Sequence, residues 1–230
     1  MGRLVHLRHT APPIVRAAAA GYCLVDYSCP DNSGAWLCRE FAPEVDAGLV
    51  CVIRVAGEHL FHKTRALNLG ARRAIDAGAR VLCFSDADTL LGPKSLETMQ
   101  RLAGPGRFLI VPREANGKSL RSLSGVLVVS AQDFERVGGY DTEFIGWGSE
   151  DIAMRLKLHL VAGLEAVELP HGTARALQHS DRMRTLYSED SDLNRNSERN
   201  HALLRCFVER WTGAGLEALP EAAKALLFRP

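Results

Sequence analysis

The sequence predicts an α/β protein of one domain, with a mostly parallel sheet and helices on both of its faces. Three observations indicate this fold. Short apolar segments alternate with segments of helical spacing, turn signals separate them, and 230 residues with 47% hydrophobic residues are enough to bury one large core. Ligands of such sheets collect beyond the carboxyl ends of the strands, so polar residues that directly follow a strand are the candidates for function.

Six short apolar segments are typical of buried strands, and six longer segments are typical of helices. The predicted strands span residues 22–27, 49–55, 80–84, 107–111, 125–130 and 164–169. The predicted helices span residues 35–41, 64–77, 93–102, 150–160, 198–211 and 216–228. Pro93 suits the first position of its helix, and the last two helices are interpreted as packing elements.

Charge and composition exclude several classes of protein. The 28 Lys and Arg residues balance 27 Asp and Glu residues to a net charge of +1, so no overall field attracts nucleic acid. No apolar run approaches the roughly 18 residues of a membrane span. The start Met1-Gly2-Arg3 does not resemble a signal peptide, so we expect a cytoplasmic protein. The six cysteines form no C-x-x-C pair and are expected to be reduced core thiols.

Two aspartates, Asp86 and Asp88, follow the third predicted strand. In an extended chain their side chains point to one side, about 6.5–7 Å apart, which suits one carboxylate on a divalent metal and the other on a ligand or water of the same site. Carboxylates next to a buried strand are costly unless a metal or hydrogen-bond donors use them. A second such pair, Asp190 and Asp192, lies in a polar stretch and is interpreted as solvated surface.

A Gly-rich segment precedes the helix predicted at residues 150–160. It contains Gly138 and Gly139, then Trp147 between two glycines, and it ends in Glu150 and Asp151. Two interpretations are open. Acids in the first turn of a helix stabilise its dipole, whereas a carboxylate beside an indole, which is a natural platform for a sugar ring, can serve as a base.

His179 follows the last predicted strand, in the segment Gln178-His179-Ser180-Asp181. A lone histidine is usually structural, and this chain has eight histidines. His171 competes as a ligand. Spacing alone therefore does not assign His179 to a metal.

Taken together, these segments resemble the nucleotide-sugar glycosyltransferases of the Rossmann-like GT-A fold. The resemblance is to the carboxy-terminal region shared by beta-1,4-galactosyltransferases and bacterial chondroitin-polymerase-like enzymes. It spans about residues 22–181 and rests on segments in the family's order, namely VDYSCPD (25–31), FHKTRALNLGAR (61–72), FSDADTLLGP (84–93), GGYDTEFIGWGSED (138–151) and QHSD (178–181). It implies one domain over 1–230, with a nucleotide-binding half at 1–130, an acceptor-side half at 131–197 and C-terminal helices at 198–230.

The resemblance implies that a hexosyl or N-acetylhexosaminyl group moves, with inversion, from a UDP-sugar to a hydroxyl of a saccharide or other acceptor, as in polysaccharide biosynthesis. It implies a divalent metal, Mn²⁺ or Mg²⁺, held at the DXD motif by Asp88 and His179, with Asp86 on the ribose or a metal-bound water. The remaining implied roles are Asp26 on the uracil base, Lys63 and secondarily Arg65 on the diphosphate, Asp151 as general base, Glu150 as acceptor ligand and Trp147 as the stacking platform of the acceptor.

Three features depart from the family's pattern. The chain begins at MGRLVHLRHT, which resembles the helix after the family's first strand, so that strand is either missing or altered. Ile152 stands where galactosyltransferases carry a third acid linked to N-acetyl recognition, and Ala176 stands where a methionine assists the metal. These departures leave the acceptor and the metal shell open.

Two rival interpretations remain. A sugar-nucleotide pyrophosphorylase shares the nucleotide-binding architecture, but the sequence lacks its Gly-rich, basic phosphate loop near the amino terminus. The main alternative to an active transferase is a catalytically impaired protein of the same fold that binds glycans or a partner transferase. Peripheral membrane contact, to reach a lipid-linked acceptor, is a further open point.

Overall fold

The computed structural model describes residues 2–17, 21–112, 114–115, 118–178, 180, 186–188 and 190–227. In chain order its helices and strands are α1 (Leu4–Arg16), β1 (Tyr22–Tyr27), α2 (Ser33–Glu40), α3 (Ala42–Asp46), β2 (Val50–Val55), α4 (Lys63–Asp76), β3 (Val81–Phe84), β4 (Thr89–Leu91), α5 (Pro93–Leu102), β5 (Arg107–Ile110), β6 (Glu114–Ala115), β7 (Lys118–Ser119), β8 (Leu127–Ser130), α6 (Ala131–Arg136), α7 (Glu150–Leu160), β9 (Glu165–Glu168), β10 (Ala174–Ala176), α8 (Leu193–Thr212) and α9 (Glu221–Lys224).

All six predicted strands are present, and α7 begins and ends at the predicted residues. The carboxy-terminal helices differ from the prediction. Helix α8 begins earlier, because the Asp192 side chain accepts hydrogen bonds from the backbone N–H groups of Asn194 and Arg195 and so caps the helix. The predicted helix at 216–228 is interrupted, because Pro220 holds Leu219 in an extended conformation and the chain becomes helical again only at α9.

The strands form a parallel pair and a mixed sheet. Strand β1 runs parallel to β2, with Tyr22 opposite Val50 and Tyr27 opposite Val55. The second sheet has the order β3-β8-β5-β9, in which β8 is antiparallel to both of its neighbours and β9 is parallel to β5. The strand directions are therefore mixed rather than mostly parallel. The reason is that β5 and β8 are joined without an intervening α-helix, and such connections give antiparallel neighbours.

Helices cover both faces of the second sheet, as predicted. Alternate residues of a strand point to opposite faces. Phe108 and Leu127 belong to one buried cluster, which α6, α7 and α8 complete. Leu109 and Val128 belong to another, to which β4 and α5 contribute. None of the described helices combines the length and the apolar character needed to cross a bilayer.

The sheet is divided between β1 and β3. Within the described residues β1 pairs only with β2, and β3 pairs only with β8. Helix α4 contacts both β1 and β3 and bridges the division.

Helix α4 also fixes the turn that leads toward α7. The Asn68 side chain donates a hydrogen bond to the carbonyl oxygen of Tyr140 (2.8 Å) and accepts one from the backbone N–H of Tyr140 (2.9 Å). Gly139 has a φ of +72°, and a Cβ there would lie 2.7 Å from the Asn68 side-chain oxygen. The turn therefore requires glycine for its backbone conformation and also for the close approach of Asn68.

We expect Gly139→Ala to lower the free energy of unfolding more than Gly138→Ala does. Both residues have positive φ, so each alanine costs about 1 kcal/mol of backbone strain. At Gly138 a Cβ would meet nothing within 4 Å, so the second variant measures the strain alone. Urea unfolding of both variants tests the difference. Equal losses would show that the close approach of Asn68 and of the Phe134 ring to Gly139 contributes nothing.

Candidate active site at the carboxyl ends of the strands

Four of the predicted site residues meet at one ammonium group. The Lys63 Nζ lies 3.1 Å from the Asp86 Oδ1, 3.0 Å from the Glu150 Oε1 and 3.2 Å from the Asp151 Oδ2. Glu150 and Asp151 are both buried. We call these four residues the Lys63 cluster. Three carboxylates against one ammonium leave the cluster with an excess of negative charge.

Three ends of secondary structure bring the cluster together. Lys63 is the first residue of α4, where the His62 side chain accepts a hydrogen bond from the backbone N–H of Arg65 and caps the helix. Asp86 follows β3, and the acids Glu150 and Asp151 occupy the first turn of α7. Negative side chains are stabilised at a helix N-terminus, so the dipole of α7 favours this pair.

The pKa shifts in the cluster follow from burial and from charge. Burial lowers the pKa of Lys63, but the carboxylates of Asp151, Asp86 and Glu150 outweigh it and hold the pKa well above its ordinary value. Burial raises the pKa of Glu150; Lys63 opposes this shift, and Asp151 adds to it. Burial and then the charge of Asp151 raise the pKa of Tyr140. Lys63 therefore stays charged, and Glu150 takes up a proton more readily than an exposed glutamate.

Asp151 has a second partner that the sequence did not reveal. The hydroxyl of Ser124 donates a hydrogen bond to the Asp151 Oδ2 at 3.1 Å. The carbonyl oxygen of Ser124 accepts a hydrogen bond at 2.7 Å from Arg155, which is buried in α7. Ser124 lies between β7 and β8 in an ordinary polar segment, so no motif marked it.

The chain turns at the Asp-x-Asp motif instead of remaining extended. The backbone N–H of Thr89 donates a hydrogen bond to the carbonyl oxygen of Asp86 (2.9 Å) and closes the turn. Asp86 faces Lys63, whereas the Asp88 Oδ2 lies 4.0 Å from the Arg3 Nη1. The expectation of two carboxylates on one side of an extended chain is therefore wrong. Gly125 makes room for Asp86, because a Cβ there would lie 2.2 Å from the Asp86 Oδ2.

Strand β10 brings a distant segment to Asp88. It pairs antiparallel with β4, and the backbone N–H of Leu177 donates a hydrogen bond to the carbonyl oxygen of Asp88 at 2.8 Å. His179 lies outside the described residues. Within those residues no group of three or more His, Cys, Asp or Glu side chains is arranged to hold a metal ion. The carboxylates of Asp86 and Asp88 nevertheless fit a hard divalent cation, because such cations prefer oxygen ligands.

Asp26 and Arg65 have partners outside the Lys63 cluster. Asp26 lies near the carboxyl end of β1. Its carboxylate accepts hydrogen bonds from the backbone N–H groups of Cys29 (2.9 Å) and Gly34 (2.8 Å). These bonds fix the turn into α2. The Arg65 guanidinium lies 2.9 Å from Glu58 and donates a hydrogen bond to the hydroxyl of Tyr27.

Trp147 lies on a loop that α8 holds in place. Gly146 and Gly148 on either side of it have φ values of +77° and +105°. Asn200 of α8 donates hydrogen bonds to the carbonyl oxygens of Ile145 (3.0 Å) and Trp147 (3.2 Å). Trp147 itself is 38% exposed. Helix α8, predicted only as a packing element, therefore positions this loop, and its buried asparagine was the signal that the sequence analysis missed.

A single cavity of about 2070 Å³ connects these features. The cavity lies at the carboxyl ends of β1 and β3, and its lining includes the Lys63 cluster, Asp88 and Trp147. Asp26 lines it at the end of β1. This position is where an open α/β sheet binds its ligands. The cavity is large enough for a nucleotide together with a sugar.

We expect Lys63→Met to destabilise the protein by about 3 kcal/mol at pH 8, because it leaves three carboxylates without their cation. The pKa of Glu150 is already raised on folding, and loss of Lys63 raises it further. Ionisation of Glu150 then opposes folding. The stability loss of the variant therefore becomes smaller as the pH falls below the folded-state pKa of Glu150.

Urea unfolding between pH 5 and pH 8 measures this dependence, with Lys94→Met on the exposed side of α5 as the control. A deficit that does not change with pH would contradict the electrostatic explanation.

Comparisons with known proteins show which sequences and folds this chain resembles. Residues 114–181 match the family model described as the N-terminal domain of galactosyltransferase. Beta-1,4-galactosyltransferase 1 of Bos taurus is 31% identical over 112 residues, which cover 47% of this chain and 27% of the bovine one. The chain spans about a third or less of the length of the curated relatives that head the comparison.

Two solved structures share the fold. The catalytic domain of Drosophila beta1,4galactosyltransferase 7, in complex with xylobiose, has a TM-score of 0.54 and 19% identity, over 87% of this chain and 84% of that one. GalNAc-T7 with UDP, GalNAc and Mn²⁺ has a TM-score of 0.61 and 14% identity, over 86% of this chain and 44% of that one. The chain therefore has the GT-A fold of nucleotide-sugar glycosyltransferases and resembles in sequence the beta-1,4-galactosyltransferases.

Proposed function

We propose that this protein is a metal-dependent glycosyltransferase that moves a sugar from a UDP-sugar to a hydroxyl acceptor with inversion. The observation that carries the proposal is the convergence of Lys63, Asp86, Glu150 and Asp151 beside Asp88 in one large cavity. The similar GalNAc-T7 binds UDP, GalNAc and Mn²⁺, and the Drosophila enzyme binds xylobiose. These ligands support a nucleotide-sugar donor and a saccharide acceptor for this chain.

We assign the donor end of the site to Asp86 and Asp88, the two aspartates of the turn after β3. Asp88 and Asp86, with His179, are the proposed ligands of Mn²⁺ or Mg²⁺, which when bound would neutralise the charge that develops on the departing diphosphate. Lys63 binds the carboxylates of the cluster and offsets a charge that would otherwise repel the phosphates. Asp26, at the end of β1, orders the turn before α2 on the uracil side of the cavity.

The acceptor end is assigned to the first turn of α7. Asp151 accepts the proton of the acceptor hydroxyl while that oxygen attacks the anomeric carbon from the face opposite the diphosphate, so the configuration inverts. Ser124 and Lys63 hold the Asp151 carboxylate in one orientation. Glu150 orients the acceptor, and the half-exposed indole of Trp147 provides a flat surface for a sugar ring.

A catalytically impaired protein that binds a glycan or a partner transferase is the second candidate. The separate partners of the two aspartates favour it, because Asp86 pairs with Lys63 whereas Asp88 lies near Arg3. Such a protein need not bind a nucleotide in a metal-dependent way. The two candidates therefore differ in their affinity for UDP.

We expect isothermal titration to show UDP binding that depends on Mn²⁺. Asp88→Asn should weaken the affinity in Mn²⁺ by about tenfold or more, because it removes a charged metal ligand. Asp190→Asn is the matched control, since Asp190 belongs to the second Asp-x-Asp pair, and its carboxylate pairs with the backbone N–H of Asp192 and with Arg195. Equal UDP affinity with Mn²⁺ and with a chelator would favour the second candidate.

We expect Asp151→Asn to retain UDP and metal binding while sugar transfer falls by about a hundredfold or more, since an amide cannot accept the proton. The assay follows release of UDP from a panel of UDP-sugars with and without saccharide acceptors. A normal transfer rate in this variant would rule out Asp151 as the base.

A further inference from the structure

The cavity of the candidate active site continues along one face of α8. Five residues of this helix line the cavity, and they follow one another at helical spacing: Ser197, Glu198, His201, Leu204 and Arg205. Side chains three and four positions apart lie on the same face of a helix. Because a helix rises about 1.5 Å per residue, this face extends about 12 Å from Ser197 to Arg205. We call this branch of the cavity the α8 groove.

The α8 groove begins at the acceptor end of the candidate site. A Cβ on Gly148 would lie 3.5 Å from the Ser197 Cα, so the first turn of α8 lies directly against the loop that carries Trp147. Ile152, which follows Asp151 on α7, also lines the cavity, and it packs against the buried cluster that α8 completes. The groove therefore opens beside the proposed base and the proposed stacking platform.

The carboxy-terminal segment completes the lining of the groove. Its lining residues include Leu216, Glu217, Glu221, Lys224 and Leu227. The short turn of helix at Leu216–Ala218 contacts α8, and α9 contacts α7, so this segment lies beside both helices. The groove is thus bounded by α7, α8 and the carboxy-terminal segment, and none of these residues belongs to β1 or β3.

The floor of the groove is apolar, and its rim is polar. Leu204 and Leu216 are buried and belong to one apolar cluster. Glu198, His201 and Arg205 are exposed on the same face of α8 that carries Leu204. A binding site of this kind holds its ligand on apolar surface and orients it through a few polar groups. A ligand of the groove must therefore offer both C–H surface and hydrogen-bonding groups.

The charges along the groove nearly balance. The carboxylates of Glu198, Glu217 and Glu221 are offset by the cations of Arg205 and Lys224. The Lys224 Nζ lies 3.2 Å from the Glu221 Oε1. Such a lining selects neither a polyanion nor a polycation. It offers hydrogen-bond donors and acceptors side by side, which matches the hydroxyl groups of a neutral carbohydrate.

We propose that the α8 groove binds a neutral oligosaccharide, whose terminal sugar lies on Trp147 and accepts the transferred group. The acceptor is then a saccharide chain and not a single sugar. The C–H faces of the sugar rings pack on the leucine floor, and their hydroxyl groups bond to the charged rim. A hydrocarbon chain would cover the floor, but it would remove water from the rim without replacing the lost hydrogen bonds. The placement of the terminal sugar rests on the proposed function, whereas binding in the groove does not.

The test measures the binding of xylo-, cello- and chito-oligosaccharides of one to four units by isothermal titration, in the presence of UDP and Mn²⁺. His201→Ala and Arg205→Ala each remove one exposed side chain of the rim, so both variants should fold. Arg210→Ala is the matched control. Arg210 is also an exposed arginine of α8, but it packs over the Phe207 ring and does not line the cavity.

We expect the affinity for at least one of the three series to rise by about tenfold or more from one unit to three, because each further unit adds hydrogen bonds to the rim. His201→Ala and Arg205→Ala should each weaken binding of the trisaccharide by about fivefold or more and leave binding of the monosaccharide unchanged. Arg210→Ala should change neither affinity. Where sugar transfer is detected, the KM for the acceptor should follow the same pattern.

An affinity that does not rise with chain length in any series would overturn the proposal, and so would a rise that both groove variants retain. An octyl glycoside that binds more tightly than its free sugar, when no longer saccharide does, would also overturn it, because the groove would then be an apolar aglycone site. Length-dependent binding that both variants weaken, without release of UDP from any UDP-sugar, would support the groove and count against the proposed function alone.

Discussion

The candidate site depends on the interaction of one ammonium group with three carboxylates. Buried carboxylates are too costly to keep ionised unless a cation or several donors compensate them. Lys63 lies at the amino end of α4, where the helix dipole disfavours a positive charge. The charges of Asp86, Glu150 and Asp151 must therefore hold it there. The same contacts connect the end of β3 to the starts of α4 and α7 and fix the geometry of this part of the cavity.

Side-chain hydrogen bonds to backbone groups hold the loops and turns around this cluster. Asn200 of α8 holds the loop that carries Trp147, and Asn68 of α4 holds the turn at Tyr140. Gly125 lets Asp86 approach the segment that contains Ser124. Each contact joins segments that are far apart in the chain. The chemistry of the site is thus carried by a few acids, while its shape is maintained by side-chain bonds to backbone groups.

The cavity of the candidate active site extends along β1 and β3. The carboxyl ends of β1 and β3 carry Asp26 and Asp86, yet the two strands are joined through α4 and not by a hydrogen-bonded neighbour. Helix α4 therefore links the positions of Asp26 and Asp86.

The sequence by itself determined the order of the elements and the acids of the site. Apolar runs marked all six major strands, and the Glu150-Asp151 pair marked the first turn of α7, because these signals are local. The sequence did not reveal the contacts between segments that are far apart in the chain. Only the tertiary structure decided that Lys63 binds the three carboxylates, that Ser124 bonds to Asp151, that the chain turns at Asp88 and that β1 and β3 stand apart. The physical reason is that hydrophobic periodicity encodes which residues are buried, whereas side-chain partners and strand neighbours are set by how the elements pack.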